Sequence, residues 1–182
     1  MDRRAFLRGL AGLAGLAGCV APGPSDRTTT APDLPYPSSD DELDAYEPTR
    51  TDRTLTLGSR EGVSDPQGDG PHDLVLWNAV PTTRSVALRI RDRVDDETVH
   101  SGDVAIPGDA ELRVRLLEPG AYVVEMHVPS ASLSETLGVP RAYFDCNASR
   151  TEIGLFAERI DSRVFTTLMA CSDRTVSGGP SN

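Results

Sequence analysis

The sequence predicts an all-β domain: an antiparallel immunoglobulin-like β-sandwich of about seven to eight strands, preceded by a disordered linker. Three observations carry this expectation. Apolar residues alternate with polar ones, so Val86, Leu88 and Ile90, then Leu112, Val114 and Leu116, then Tyr122, Val124, Met126 and Val128 each share one face of an extended run. Turn signals separate the runs, at Asp95-Asp96, Pro107-Gly108-Asp109 and Glu118-Pro119-Gly120. No run keeps a helical period over ten or more residues, and the residues around 130–137 suit one short helical turn at most.

In chain order, residues 1–18 read as an export signal. Arg3 and Arg4 precede Ala5-Phe6-Leu7-Arg8, and a short Gly-Leu-Ala run follows. That run has about ten residues, where a spanning helix needs roughly twenty. It closes on Leu16-Ala17-Gly18-Cys19, which sets small residues before the cysteine, as a signal peptidase requires. Cys19 is therefore the expected lipidation site.

Residues 19–52 read as the linker. They hold six prolines, the run Thr28-Thr29-Thr30 and the acidic cluster Asp40-Asp41-Glu42, with too few apolar residues for a core. As polyproline, residues 20–52 would reach about 100 Å.

Residues 53–175 form the predicted sandwich, and 176–182 a flexible tail. Leu74-Val75-Leu76-Trp77 is apolar on both faces and suits a central strand. Later strands are expected near 142–145, 151–157 and 163–170. A closed barrel or a cupredoxin-like sandwich would read similarly.

The chain carries 18 basic residues, all arginine, against 28 acidic ones, a net charge of −10. Loss of residues 1–18 takes three arginines and one aspartate, leaving 15 against 27, or −12. No basic stripe is present, so nucleic-acid binding is not expected. At ~1 M salt the Debye length falls to about 3 Å, which screens the self-repulsion of such a surface.

Together the twin-arginine start, the lipobox and the acidic, lysine-free body resemble exported haloarchaeal lipoproteins. That resemblance implies that Cys19 becomes the mature N-terminus and carries a lipid on the extracellular face of the cell membrane. Its specific motifs cover only the first tenth of the chain, and they imply no particular activity. The Glu118-to-Tyr122 hairpin followed by Val123-Val124-Glu125 resembles a pattern in many extracellular sandwich modules.

No catalytic residue set is recognisable, and the expectation is a non-enzymatic surface module. It would bind a protein or glycan of the envelope, or serve it structurally; the alternative is a small-ligand or solute-binding accessory lipoprotein. Contact would fall to loops such as 60–71 or 130–140. No cofactor and no metal is expected. His72, His100 and His127 do not follow either remaining cysteine at blue-copper spacing. Asp65-Pro66-Gln67-Gly68-Asp69-Gly70 begins like a calcium loop but has Leu76 where a glutamate is needed. Arg89, Arg91, Arg113 and Arg115 would make a basic patch if their strands were neighbours; pairing with acids across strands is the simpler expectation. Asn147-Ala148-Ser149 fits the N-glycosylation sequon, which makes Asn147 a candidate sugar carrier.

Cys146 and Cys171 remain once Cys19 is lipidated, and an even pair in an exported domain reads as a disulfide. Each lies at the end of an expected strand. Closing that loop would stabilise the domain by roughly 3 kcal/mol on the chain-entropy account. Non-reducing peptide mapping of the mature protein is expected to recover the two joined; two free thiols under denaturing alkylation would contradict it.

Overall fold

The structure is a computed structural model of the chain that describes residues 34–35 and 50–167. Among the described residues it is a β-sandwich of nine strands in two sheets. The strands are β1 (Arg50–Leu57), β2 (His72–Asn78), β3 (Arg84–Asp92), β4 (Thr98–Ile106), β5 (Ala110–Leu116), β6 (Tyr122–Val128), β7 (Leu133–Val139), β8 (Ser149–Leu155) and β9 (Ile160–Thr166). The larger sheet has the order β1-β5-β2-β8-β9 and the smaller one β4-β3-β6-β7.

All pairings in the smaller sheet are antiparallel. The larger sheet also includes two parallel pairings, β1 with β5 and β2 with β8. These arise because chain segments of many residues, including the whole smaller sheet in the second case, separate the paired strands. A parallel neighbour needs such a long crossover.

The core lies between the sheets. Leu74 and Leu76 of β2, Leu112, Val114 and Leu116 of β5, and Ile153 and Leu155 of β8 face Val86, Leu88 and Ile90 of β3 and Val124, Met126 and Val128 of β6. All are buried, as the period-two runs require. β2 is the third of five strands, as its doubly apolar sequence predicts.

Val75 and Trp77 form a second apolar cluster with Ala79 and Phe156 on the outer face of the larger sheet. Trp77 lies opposite Glu111 on β5 and Gly154 on β8. Phe156 meets the indole edge-on, with ring centroids 5.3 Å apart, and Arg159 stacks over Phe156 at 4.3 Å. Gly154 makes room for this cover. A Cβ there would lie 2.9 Å from Trp77 Cζ2 and 2.7 Å from Phe156 Cε2.

Two buried polar side chains tie the sheets at one end. Asn78 donates from Nδ2 to the carbonyls of Thr82 (2.8 Å) and Ile106 (3.0 Å), and its Oδ1 accepts from the Val80 N–H. Arg84 of β3 donates to the Phe156 carbonyl (2.5 Å), in the turn between β8 and β9.

The residues Glu118-Pro119-Gly120 join β5 of one sheet to β6 of the other. They make a corner between sheets, not the hairpin expected from their sequence. The Tyr122 hydroxyl fixes it by donating to the Glu118 carbonyl at 2.8 Å, a tyrosine corner. Burial, with Asp92 and Glu118 nearby, pushes this phenol up to about 12, so it stays a donor.

Other elements depart from expectation. Residues 142–145 hold no strand; a 3-10 turn spans Arg141–Tyr143, and Phe144 plugs the core at 1% exposure. Residues 130–137 give a 3-10 turn at Pro129–Ala131 and then β7, not a loop. Ser132, at φ 53°, reverses the chain between them. β1 begins at Arg50, inside the expected linker. The last strand, β9, starts at Ile160, ahead of the expected 163.

The Gly154→Ala variant is expected to lose about 1–3 kcal/mol of stability through overpacking against Trp77 and Phe156. Denaturant unfolding followed by the fluorescence of Trp77, the chain's single tryptophan, measures it. Wild-type stability in the variant would mean that Gly154 does not set the fit.

Candidate functional site

Ion pairs line the outer faces of both sheets. On the larger sheet Arg115 forks onto Asp73 at 2.8 and 3.0 Å, Arg113 pairs with Glu111 at 3.0 Å, and Glu152 is held by Arg163 at 2.9 Å and Arg150 at 2.8 Å. On the smaller sheet Arg89 and Arg91 approach Glu125 at 3.7 and 3.6 Å, and Arg91 also meets Asp96 at 2.9 Å. The four arginines 89, 91, 113 and 115 thus lie on two different sheets, and each has an acidic partner. They form no basic patch.

A buried polar node sits beneath the β2–β8 pairing. His72 is fully buried, with Nδ1 2.8 Å from Ser149 Oγ and Nε2 2.9 Å from Thr151 Oγ1. The parallel register places His72 directly opposite Ser149. Tyr143 stacks on the imidazole at 5.5 Å, and Phe144 lies 5.7 Å away.

The proton directions follow from the partners. The Ser149 hydroxyl donates to the Tyr143 carbonyl, so toward His72 it can only accept. His72 must then carry its proton on Nδ1, and Nε2 accepts from Thr151. This order is the reverse of a serine nucleophile, whose proton must point at the imidazole. Burial holds the imidazole well below its usual value, at about 4, against a smaller opposing pull from Asp73.

The node also bears on the sequon. Asn147 donates from Nδ2 to Asp145 at 3.0 Å, and Ser149 is buried with its hydroxyl engaged on both sides. Asn147 itself is half-buried. Cys146 sits in the same bend, after the 3-10 turn and not at a strand end. Its expected partner Cys171 lies outside the described residues, as do Arg3, Arg4, Leu16, Ala17, Gly18 and Cys19.

His127 is exposed on β6 and shares Nδ1 between Ser134 Oγ (2.8 Å) and the Leu133 carbonyl (3.1 Å). His100 lies on β4. Among the described residues, no three His, Cys, Asp or Glu side chains gather as a metal site would need.

The loop of residues 58–71 builds the remaining feature, a polar cleft of about 520 Å³ at one end of the sandwich. Its walls include Glu61, Val63, Asp69, Glu118, Pro119 and Arg141. Gly58, at φ 79°, turns the chain out of β1, and a Cβ there would press on Glu118 at 3.1 Å. The Ser59 N–H donates to Glu118 at 2.8 Å. Arg60 braces the loop from within, donating to the Leu117 carbonyl at 2.8 Å and the Pro66 carbonyl at 2.9 Å.

The calcium-like stretch is a turn: Asp65 accepts from the Gly68 N–H at 3.0 Å, and Asp69 pairs with Arg141 at 2.5 Å. The Gly70 N–H donates to the Asp145 carbonyl at 2.8 Å. Of the two loops expected to make contacts, 60–71 is therefore a braced wall of a cleft. Most of 130–140 is edge strand β7. Sequence reasoning missed Glu118 and Arg141 as cleft residues, because only the fold brings them to this loop.

A second, shallower groove of about 600 Å³ crosses the outer face of the smaller sheet, past Arg89, Asp103, Glu125, His127 and Thr136. Of its charged residues, Arg89 and Glu125 pair with each other across strands.

No family model matches this chain. No curated protein matches it either. Among solved structures it is similar to the T6SS lipoprotein TssJ1 from Pseudomonas aeruginosa, at 12% identity and a TM-score of 0.36, over 56% of this chain and 99% of that chain.

The His72 node makes stability depend on pH with a definite sign. The unfolded chain binds a proton on His72 near pH 6.5, whereas the folded imidazole stays neutral down to about 4. Stability is intact above pH 6.5 and falls toward pH 4, by about 3 kcal/mol in all at roughly 1.4 kcal/mol per unit. Urea unfolding between pH 7 and 4 is expected to show this slope, and His72→Gln to flatten it. An equal slope in both proteins would assign the effect to the carboxylates instead.

Proposed function

We propose that this chain is a lipid-anchored module of the cell surface that acts by binding an envelope protein or glycan, not by catalysis. The observation that carries the reading is the Leu16-Ala17-Gly18-Cys19 lipobox after a twin-arginine start, with a sandwich beyond it. The geometry supports it in three ways. Ion pairs already engage the arginines of both outer faces, which favours the loop end as the contact surface. The cleft there is braced by hydrogen bonds, so a partner would meet a preformed surface at small entropic cost. The buried Ser149–His72 pair has the wrong proton order for a nucleophile.

The chemistry of the cleft narrows the partner. Glu61, Asp69 and Glu118 outnumber Arg141, so the walls favour a basic or polyhydroxylated group over an anion. No helix among the described residues is long and apolar enough to cross a membrane.

Cys19→Ser is expected to move the protein out of the membrane fraction, or to leave an uncleaved precursor. Cell fractionation and intact mass read both outcomes. A mature protein with an unmodified Cys19 would remove the anchoring, and with it this function.

A further inference from the structure

We propose that the segment at Leu34–Pro35 docks on the outer edge of β7 as a short added strand, closing that edge and fastening the stalk to the sandwich. The Gly138 N–H donates to the Pro35 carbonyl at 3.0 Å. β7 is the last strand of its sheet, bonded on its inner side to β6 from Tyr122↔Val139 through Val128↔Leu133. Gly138 therefore turns its main-chain groups outward. By the pleat, Thr136 and Ser134 turn theirs to the same edge. An edge of this kind is a template for strands of other chains.

The segment's chemistry suits a cap. Pro35 offers a carbonyl but has no N–H, so toward β7 it satisfies an edge donor and can only accept. Pro140 closes β7 with another residue lacking an N–H. Leu34 is half-buried against the domain.

The attachment also shortens the tether. This part rests on the lipid at Cys19, whereas the edge contact does not. Between Cys19 and Pro35 lie fifteen residues, which reach about 45 Å as polyproline, under half the reach of the whole linker. The reach of the domain from the membrane would shorten accordingly.

Amide exchange in the isotopically labelled full chain tests the contact. The Gly138 amide is expected to be protected. In a Leu34→Ser, Pro35→Gly variant it should exchange about tenfold faster or more, while the Leu137 and Val139 amides, turned toward β6, keep their rates. An unchanged Gly138 rate would overturn the proposal. If all three rates rise together, the through-bond coupling between the Gly138 nitrogen and the Pro35 carbonyl carbon in the unsubstituted chain decides: its presence supports the cap and its absence overturns it. Cys19→Ser should leave Gly138 protection unchanged, so loss of the anchor and loss of the cap are read separately.

Discussion

Strand β2 is buried on both faces, and that requirement places the strands around it. Its inner face, Leu74 and Leu76, needs the smaller sheet above it. Its outer face, Val75 and Trp77, needs a cover of its own, which Phe156 supplies from the turn after β8. That cover works only if the residue beside the indole is small, so β8 must meet β2 in the one register that sets Gly154 against Trp77. The same register brings Ser149 to His72 and Arg150 beside Asp73. A slip of one residue would turn every side chain of β8 to the wrong face.

Much of this could be read from the sequence, and the exceptions have physical causes. β2, β3, β5 and β6 are strands whose buried face is apolar at every second position, and β8 keeps enough of that pattern. β7 hides because Glu135 interrupts the inward series Leu133, Leu137 and Val139, leaving a four-residue spacing that imitates a helical turn. β4 hides because His100 and Gly102 precede Val104 and Ile106 on the inward side. β1 is an edge strand whose Thr and Arg residues are mostly exposed, so composition alone assigns its start to the linker. The loop 60–71 was identifiable as a surface feature. The His72 node was not, because its three side chains meet only through a parallel pairing that leaves no local signal.

The outer faces show why an acidic protein with only arginine as its strong base keeps such ordered surfaces. A guanidinium offers several donors in one plane, so Arg115 holds both oxygens of Asp73 and Arg163 approaches Glu152 from the next strand. Exposed pairs of this sort contribute little each. Their effect is on specificity: Asp73, Glu125 and Glu152 are each matched by an arginine on a neighbouring strand, which favours this pairing of strands over others.

The two parallel pairings also bear on how the chain folds. The side-chain bonds that cross them join residues 60 and 77 positions apart, Thr51 to Glu111 and His72 to Ser149. Closing loops of that length is entropically slow, whereas β3, β4, β6 and β7 are joined by shorter connections. The smaller sheet can form as soon as it is synthesised. The larger one must wait for β8, near the end of the chain, to lie down beside β2. A half-made molecule therefore displays β2 with its tryptophan uncovered, an apolar surface open to other chains until the last strands arrive.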